Sequence, residues 1–406
     1  MLSLRARPRA LARSGMKALL DNDLIASRTV TEPTPHVPAA PSMLAPGSPV
    51  EFPMTWLLDH ASNAIRFRAI VDVGRFGAEM AREASVMAYS YAPAISLAVA
   101  QSPDGIWNGS MLEVPSARAD QFDRVGTISA FRRLLEYGWE KDAPSLMRAR
   151  RVLFRLLAED NDPAYLFEFA PRGDEDGDIA RRGRAVLREA AAAALAQAGY
   201  EGDPRLRGAA IRILGRIDSF LRSPLAHKPW VRVGNKQVLA AEAAPPSIYA
   251  LAMLAHMPLF RNEHHLQLDH IFRYVSQPQP RQEALQLYGA KIVAQPHLVL
   301  GDLLPNRNVA DADVPFALAW LELMARLGFL RRNEVWEKLF DRFLDDRDRE
   351  LVWHPHKGMA VPRSSNPFVW PAFPLEQMTS GEERWTDVTF RLGLIARLSG
   401  RPLELI

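Results

Sequence analysis

The sequence predicts an all-α fold built from stacked helical hairpins. Apolar residues recur at helical spacing in one segment after another, and the alternation typical of strands is nearly absent. Several of these segments end at a glycine, and the next begins at Asp or Asp-Pro, which are common first residues of helices. Hydrophobic residues make up 48% of the 406-residue chain, so a large buried core can form.

Composition excludes several classes of site. The chain has no cysteine, which rules out disulfides, Cys-ligated zinc, iron–sulfur clusters and thiol nucleophiles. Charged residues interrupt every apolar run before the roughly 18 to 20 residues needed to cross a bilayer. The net charge is +3, and the arginines mostly alternate with apolar residues at helical spacing. We therefore expect a soluble, cytoplasmic protein without a nucleic-acid partner.

Residues 1–50 differ from the rest of the chain. Arginines come first, and a tract rich in Pro, Ser and Thr follows without helical periodicity. Two interpretations stay open, a disordered tail or linker and a targeting segment whose amphipathic pattern Pro8 interrupts. We expect one helical domain over residues 51–406.

The first half of this domain predicts a series of paired helices. Apolar stripes around Trp56 and Ile65 form the first pair. Gly138 and Gly199 close later helices, and Asp203 before Pro204 begins another. The remaining helices of this half are predicted over 94–100, 121–137, 144–158, 179–198 and 204–221.

The second half continues in the same way, with Gly328 and Gly400 as helix stops and a proline-rich irregular stretch over 352–374. Helices are predicted over 247–256, 263–276, 282–295, 314–327, 333–345 and 386–398. Hairpins that recur every few tens of residues are typical of repeat architectures, so we expect a closed α/α toroid, or alternatively a HEAT-like α-solenoid.

One loop after the helix over 94–100 carries the most specific local pattern. It reads Gln101-Ser-Pro-Asp-Gly105-Ile-Trp107, which fits Q-x-x-x-G-x-W. In such a loop the Gln amide can bond free backbone groups at a helix end, Gly permits the turn, and Trp packs on a neighbouring helix. This pattern resembles the QW motif of the terpenoid cyclase and protein prenyltransferase superfamily, whose members are α/α toroids.

Other segments support the resemblance and limit what it implies. Trp56-Leu-Leu with Asn63-Ala-Ile-Arg66 is similar to the opening of bacterial toroid proteins of this group, and Trp385 to Arg391 is similar to a closing helix. One complete QW loop is present, where established cyclases have several. The resemblance implies an apolar, isoprenoid-like ligand that the protein binds or cyclises.

The resemblance also supplies candidate catalytic residues. Class II cyclases of this superfamily protonate an isoprenoid with the middle Asp of D-x-D-D, and the nearest match here is Asp311-Ala-Asp313-Val314. Asp313 is then the candidate acid and Asp311 its partner, although Val314 replaces the fourth carboxylate. The alternative is that these acids cap the helix beginning near Pro315. Whether the protein is an enzyme stays open.

No cofactor or metal ion is predicted. Asp345-Asp346-Arg347-Asp348 lacks the spacing of a magnesium-binding D-D-x-x-D motif, and the absence of cysteine excludes the zinc site of prenyltransferases. His265 and Asp269 share a helix face but have no third ligand nearby in the sequence. A second hypothesis is a non-catalytic HEAT-like scaffold for a protein partner, because Ser62 to Arg66 and Asp203 to Arg207 read like HEAT helices.

Overall fold

A computed structural model describes residues 47–116, 122–157, 177–278, 283–289, 291–355, 364–376 and 383–406, without the side chains of residues 177–180 and 383–385. Of the segment over 1–50 that the sequence sets apart, residues 1–46 lie outside this description. Contacts group Ala45–Ile406 into one unit.

Helices form most of the described chain. They are α1 (Met54–His60), α2 (Asn63–Arg68, continued by a π-helical turn over Ala69–Gly74), α3 (Ala78–Tyr89), α4 (Ala92–Val99), α5 (Thr127–Glu136), α6 (Pro144–Leu156), α7 (Gly177–Gln197), α8 (Pro204–Leu221), α9 (Ile248–Ala255), α10 (Pro258–Glu263), α11 (His265–Val275), α12 (Arg307–Ala312), α13 (Val314–Arg326), α14 (Glu334–Asp345) and α15 (Glu383–Leu398). Short 3₁₀ turns lie over Pro224–Ala226 and Leu330–Arg332.

The all-α prediction is wrong, because the described residues also contain six short strands in two sheets. These are β1 (Val50–Phe52), β2 (Trp230–Val233), β3 (Lys236–Leu239), β4 (Leu285–Tyr288), β5 (Lys291–Ala294) and β6 (Leu403–Leu405). β1 and β6 pair in parallel, with Val50 opposite Leu403. The other four strands form a sheet in the order β2-β3-β4-β5.

Local chemistry explains the missed strands. Gly234 and Asn235 separate β2 from β3, and glycine at positive φ suits the tight turn of an antiparallel hairpin. The helix predicted over 282–295 is likewise wrong, since β4 and β5 form an antiparallel hairpin there around Gly289. Burial alternates along β4, with Gln286 and Tyr288 buried. Each strand has three or four residues, too few for a clear alternating signal.

The closed toroid and its solenoid alternative are wrong as well. No closed ring of hairpins is found among the described residues. Strands interrupt the series of hairpins between α8 and α9 and between α11 and α12, and an irregular segment over 364–376 precedes α15. The fold is mixed, with helices carrying most of the core.

Packing centres on the long helix α7. It contacts α5, α6 and α9, while α13 contacts α9 and α15, and α15 contacts α1 and the π-helical turn. The alanines over 190–194 are buried, which lets the backbones of α7 and α9 approach closely. Large side chains fill the surrounding core, among them the fully buried Trp107, Trp320, Trp336 and Trp353.

The predicted glycine stops are confirmed. Gly138, Gly199, Gly328 and Gly400 follow the ends of α5, α7, α13 and α15, and all have positive φ angles, from 76° to 91°. In each case the N–H after the glycine bonds the carbonyl five residues earlier, the Schellman arrangement. These bonds are Trp139 to Leu134, Tyr200 to Leu195, Phe329 to Met324, and Arg401 to Ala396.

Candidate functional site

A pocket of 430 Å³ lies where several helices end. Among the described helices, α5 ends at Glu136, α7 at Gln197 and α13 at Arg326, while His256 caps the end of α9. All four residues face the pocket. We call this cavity the helix-end pocket, and it is lined by Phe67, Arg68, Asp72, Leu135, Glu136, Gly138, Trp139, Glu140, Lys141, Asp142, Gln197, Ala198, His256 and Arg326.

A widened helical turn brings a further ion pair to the pocket. The segment over Ala69–Gly74 is π-helical and ends at Arg75, which has a φ of 52°. Arg68 precedes this turn and its guanidinium bonds the carboxylate of Asp72, four residues later. Such π-helical turns are frequent at functional sites because they redirect side chains relative to a regular helix.

Gly138 shapes one wall of the pocket. Its φ of 91° lies in the left-handed region, and the ring of Phe67 fills the space that a Cβ atom would occupy. The chain can therefore turn sharply after α5 while α2 packs directly against the turn. The residues that follow, Trp139 to Asp142, form the rim.

Glu136 is the anion at the base of the pocket. Its Oε2 atom accepts from Nη1 of Arg68 and from Nη2 of Arg391, both at 2.8 Å, and its Oε1 accepts from Nε2 of Gln197 at 2.6 Å. Burial acts to raise the pKa of Glu136, but Arg391 and Arg68 hold it well below its usual range. Glu136 is therefore a fixed carboxylate and not a proton donor.

The ion pairs continue below Glu136 toward α13. Arg391 also donates Nη1 to Oε2 of Glu322 at 2.8 Å, and Glu322 pairs with Arg326 at 2.9 Å. Gln197 accepts from Nε of Arg132 at 2.9 Å through its other amide atom. Five helices, α2, α5, α7, α13 and α15, are thus linked through one buried network, which fixes the positions of the charges in the pocket wall.

His256 differs from the other polar groups of the pocket. Burial, together with the nearby guanidinium groups of Arg326 and Arg132, lowers the pKa of His256 well below its usual value, so the ring is neutral. Among the described residues no hydrogen-bond or ion-pair partner of this ring is found. It therefore presents one donor and one acceptor nitrogen for use in the pocket.

The rim of the pocket is acidic and aromatic. Glu140 and Asp142 are exposed, and Lys141 lies with its Nζ 5.2 Å from the ring centroid of Tyr200. Trp139 is held by a bond from its Nε1 to the carbonyl of Ala88. Of the described lining residues, four are carboxylates, three are cations and His256 is neutral, which leaves a formal charge of −1.

The predicted catalytic acids lie elsewhere. Asp313 caps α13, with its Oδ1 accepting from the backbone N–H of Phe316 at 3.1 Å. Asp311 accepts from Arg342 at 2.5 Å and from Arg307 at 3.2 Å. Burial acts to raise the pKa of Asp311, but these arginines lower it, which favours a carboxylate where a cyclase needs an acid. Neither residue lines the helix-end pocket, and their catalytic role stays a prediction.

The loop over 101–107 joins helices. Nε2 of Gln101 donates to the carbonyls of Gly105 and Ser145, and Nε1 of Trp107 donates to the carbonyl of Leu97 at 2.7 Å. Gly105 has a φ of 91°, and a Cβ there would meet the backbone of Arg148 at 2.9 Å. These contacts hold the end of α4 against α6.

The histidine-rich segment also has structural partners. Asp269 pairs with Arg332 at 2.8 Å and His270 with Asp218 at 2.9 Å. Among the described side chains no group of three His, Asp or Glu residues is placed to hold a metal ion. His354 contacts Asp348 at 2.5 Å, while His356 lies outside the described residues.

Sequence reasoning missed Arg68, Glu136, Gln197, His256 and Arg326 as site residues. One signal could have found three of them. Two residues before each of the stops Gly138, Gly199 and Gly328, the chain carries Glu136, Gln197 and Arg326. A polar residue repeated at the last position of several helices, each followed by a glycine stop, is a signal of a shared polar site.

Comparison of the chain with protein-family models, with curated proteins and with solved structures finds no significant match. Within the described segments, no helix is both long and apolar enough to span a membrane.

Proposed function

We propose that this protein binds a small organic cation in the helix-end pocket. One observation carries the proposal. The ends of α5, α7, α9 and α13 meet at a pocket whose charged lining residues include more carboxylates than cations. The C-terminal end of a helix carries a partial negative charge, which favours a cation. The ends of α5, α7 and α13 reinforce the carboxylates, while Arg261 already caps the end of α9 through the carbonyls of Leu254 and Ala255.

The arrangement of charges supports this class of ligand. Arg68 and Arg326, the two guanidinium groups of the lining, already pair with Asp72, Glu136 and Glu322. Glu140 and Asp142 remain at the rim, where they can meet an incoming ammonium group. Opposite charges at the mouth of a cleft raise the local concentration of a ligand and its association rate.

The aromatic residues and the volume fit the same ligand. Trp139 and Phe67 line the pocket, and a ring face attracts a cation held within about 6 Å of its centroid. A volume of 430 Å³ falls in the range of about 300 to 1,000 Å³ common for small-molecule sites. This polar lining does not favour the isoprenoid-like ligand that the sequence resemblance implies.

Binding can be tested by calorimetry with benzylamine, putrescine and benzyltrimethylammonium, and with benzyl alcohol as the neutral analogue. We expect the cations to bind and the alcohol to bind at least tenfold more weakly. The double variant Glu140→Gln/Asp142→Asn should weaken cation binding roughly three- to tenfold at low salt, and added salt should reduce this difference.

The matched control is Glu79→Gln/Glu83→Gln, which removes two exposed carboxylates from α3 and should leave binding unchanged. If benzyl alcohol or an anion such as benzoate binds as tightly as benzylamine, the proposal is wrong.

A second candidate function, protein binding, is favoured by the surface of α3 and α4. In α3 the fully buried side chains are Ala84 and Ala88, while Met80 and Val86 are exposed. On α4, Val99 is 78% exposed. If this surface binds a protein, Val86→Glu should abolish the interaction without changing the cooperativity of unfolding.

A further inference from the structure

The four-stranded sheet has an outer edge at β2, which pairs only with β3 in the strand order β2-β3-β4-β5. The N–H of Ala240 donates to the carbonyl of Pro229 at 2.8 Å, so in this antiparallel ladder the residues two and four positions after Pro229 also turn their backbone groups toward β3. The N–H and C=O groups of Trp230 and Arg232 therefore face away from the sheet. In the part of the chain that the structure describes, no other backbone group bonds them. We call this row of backbone groups the β2 edge.

Cations surround the β2 edge. Lys228, Arg232 and Lys236 are exposed, and among the described residues none of them forms an ion pair. The guanidinium of Arg232 bonds only a neutral group, the carbonyl of Gly234, at 3.1 Å. No Asp or Glu occurs over residues 227–241. The hairpin of β2 and β3 thus carries positive charge that no ion pair neutralises, and this charge attracts an anionic partner.

Side chains along β2 alternate between two environments. Trp230 and Arg232 lie on one face of the strand, and Val231 and Val233 lie on the other. Val231 is 38% exposed. A strand added beside β2 places its own side chains in the same alternation, so that one set lies beside Arg232 and the other beside Val231. Acidic residues complement the first position and apolar residues the second.

The charge of the β2 edge also decides between classes of partner. Two copies of the chain pairing through this edge would bring their cations together, and exposed cations on an edge strand disfavour such self-pairing. A nucleic acid could use the cations, but it would leave the alternating backbone groups unused. Trp230, the aromatic residue of β2, packs partly buried against the core and is therefore a poor platform for stacked bases.

We propose that the β2 edge binds an extended segment of a partner protein in which Glu or Asp alternates with apolar residues. The segment adds to the sheet as a further strand beside β2, with its backbone bonding Trp230 and Arg232 and its carboxylates facing the cations. None of these residues lines the helix-end pocket, so the inference does not depend on the proposed function.

The charge requirement can be tested by fluorescence anisotropy with the full-length protein and a labelled hexapeptide of alternating glutamate and valine. We expect Arg232→Gln/Lys236→Gln to weaken binding by roughly fivefold or more, and a hexapeptide of alternating lysine and valine to bind at least roughly tenfold more weakly. The matched control is Arg148→Gln/Arg151→Gln, which removes two exposed arginines from α6 and should change the affinity less than about twofold. Circular dichroism establishes that each variant is folded.

The strand requirement is tested with two N-methylated forms of the acidic hexapeptide. One is methylated at every glutamate and the other at every valine, so each lacks the N–H donors along one side of the strand. We expect one form to lose roughly tenfold or more in affinity and the other to bind nearly as well as the unmodified peptide. Equal affinities of the two forms would rule out strand addition.

Two further results would overturn the proposal. One is the absence of binding to the wild-type protein at about 1 mM acidic hexapeptide. The other is a single-stranded oligouridylate that binds as tightly as the peptide and is weakened as much by Arg232→Gln/Lys236→Gln, since the surface would then recognise phosphate.

Discussion

Glu136 shows how a single residue can organise the site. Its carboxylate receives three side-chain hydrogen bonds from Arg68, Arg391 and Gln197, which belong to three different helices. Only about 5% of its surface is exposed. A buried carboxylate of this kind is a structural centre, because removing it takes one of two carboxylate partners from each of two buried guanidinium groups, leaving Arg68 with Asp72 and Arg391 with Glu322.

Replacing Glu136 by Ala should therefore destabilise the protein strongly. We expect the free energy of unfolding, measured with urea, to fall by about 3 to 5 kcal/mol, the usual cost of breaking a buried ion pair. The control is Glu263→Gln, which removes one member of the exposed pair with Arg207 and should cost about 0 to 1 kcal/mol. Similar losses in the two variants would contradict the central place of Glu136.

In a second pair of acids the pKa values are raised, whereas that of Glu136 is lowered. Glu376 and Asp387 are buried, and Oδ2 of Asp387 accepts from the backbone N–H groups of Leu375 and Glu376 at 2.7 and 3.2 Å. Burial, with the charge of Asp387, raises the pKa of Glu376 to about 7. Burial raises the pKa of Asp387 to about 6 although Arg391 and Arg133 oppose it.

These raised pKa values make the stability of the folded protein depend on pH in a definite direction. Between about pH 4.5 and 7 the folded protein holds a proton on Glu376 that the unfolded chain has lost, so stability falls as the pH rises. We expect Glu376→Gln to match wild type near pH 4.5 and to exceed it by roughly 1 to 3 kcal/mol at pH 8. Denaturant unfolding at a series of pH values measures this difference.

Asp203→Asn is a control, because the pH dependence of the stability that Asp203 contributes has the opposite sign. Its side-chain bond with Arg205 lowers the pKa of Asp203, so this carboxylate stabilises the protein at neutral pH and loses that effect in acid. If the difference in the free energy of unfolding between Glu376→Gln and wild type does not change with pH, the raised pKa of Glu376 is wrong.

At the scale of the element, the turn after α5 positions the pocket. Gly138 allows both the left-handed backbone and the contact with Phe67, while Gly199 has a similar φ of 80° but open space around it. A substitution at Gly199 therefore tests backbone strain alone, whereas a substitution at Gly138 tests backbone strain together with a steric clash with Phe67. The same conformation is required at both positions, but only at Gly138 is the space filled.

We expect Gly199→Ala to cost about 1 kcal/mol, the strain of a left-handed alanine. Gly138→Ala should cost roughly 1 to 3 kcal/mol more, because Phe67 must move, and should also weaken ligand binding. Thermal unfolding and calorimetry measure both effects. Equal costs at the two positions would show that the contact between Gly138 and Phe67 is unimportant.

At the scale of the whole molecule, the parts that sequence reasoning finds are those with local signals. Gly138 and Gly199 mark helix ends because their chemistry is local, and Asp203 marks a helix start through its bond to the N–H of Arg205. The strands over 230–239 and 285–294 were missed because each is short and follows a helix-rich pattern.

In the sequence the pocket is marked only by Glu136, Gln197 and Arg326, which stand two positions before Gly138, Gly199 and Gly328. Arg68, Glu136, His256 and Arg326 are spread along most of the chain and meet only because their helices pack side by side. The spacing of Asp311 and Asp313 predicts a catalytic pair. In the structure Asp311 pairs with Arg342 and Arg307, and Asp313 caps the start of α13. Long-range packing, which no residue spacing encodes, decides where the polar side chains converge.

The most direct test of cation binding in the helix-end pocket is a crystal structure of the protein with benzylamine. We expect its ammonium nitrogen in this pocket, about 2.7 to 3.2 Å from the carboxylate of Glu140 or Asp142. The same crystals should show the benzyl ring against Trp139 or Phe67. Benzylamine bound elsewhere, with water filling the helix-end pocket, would contradict the proposal.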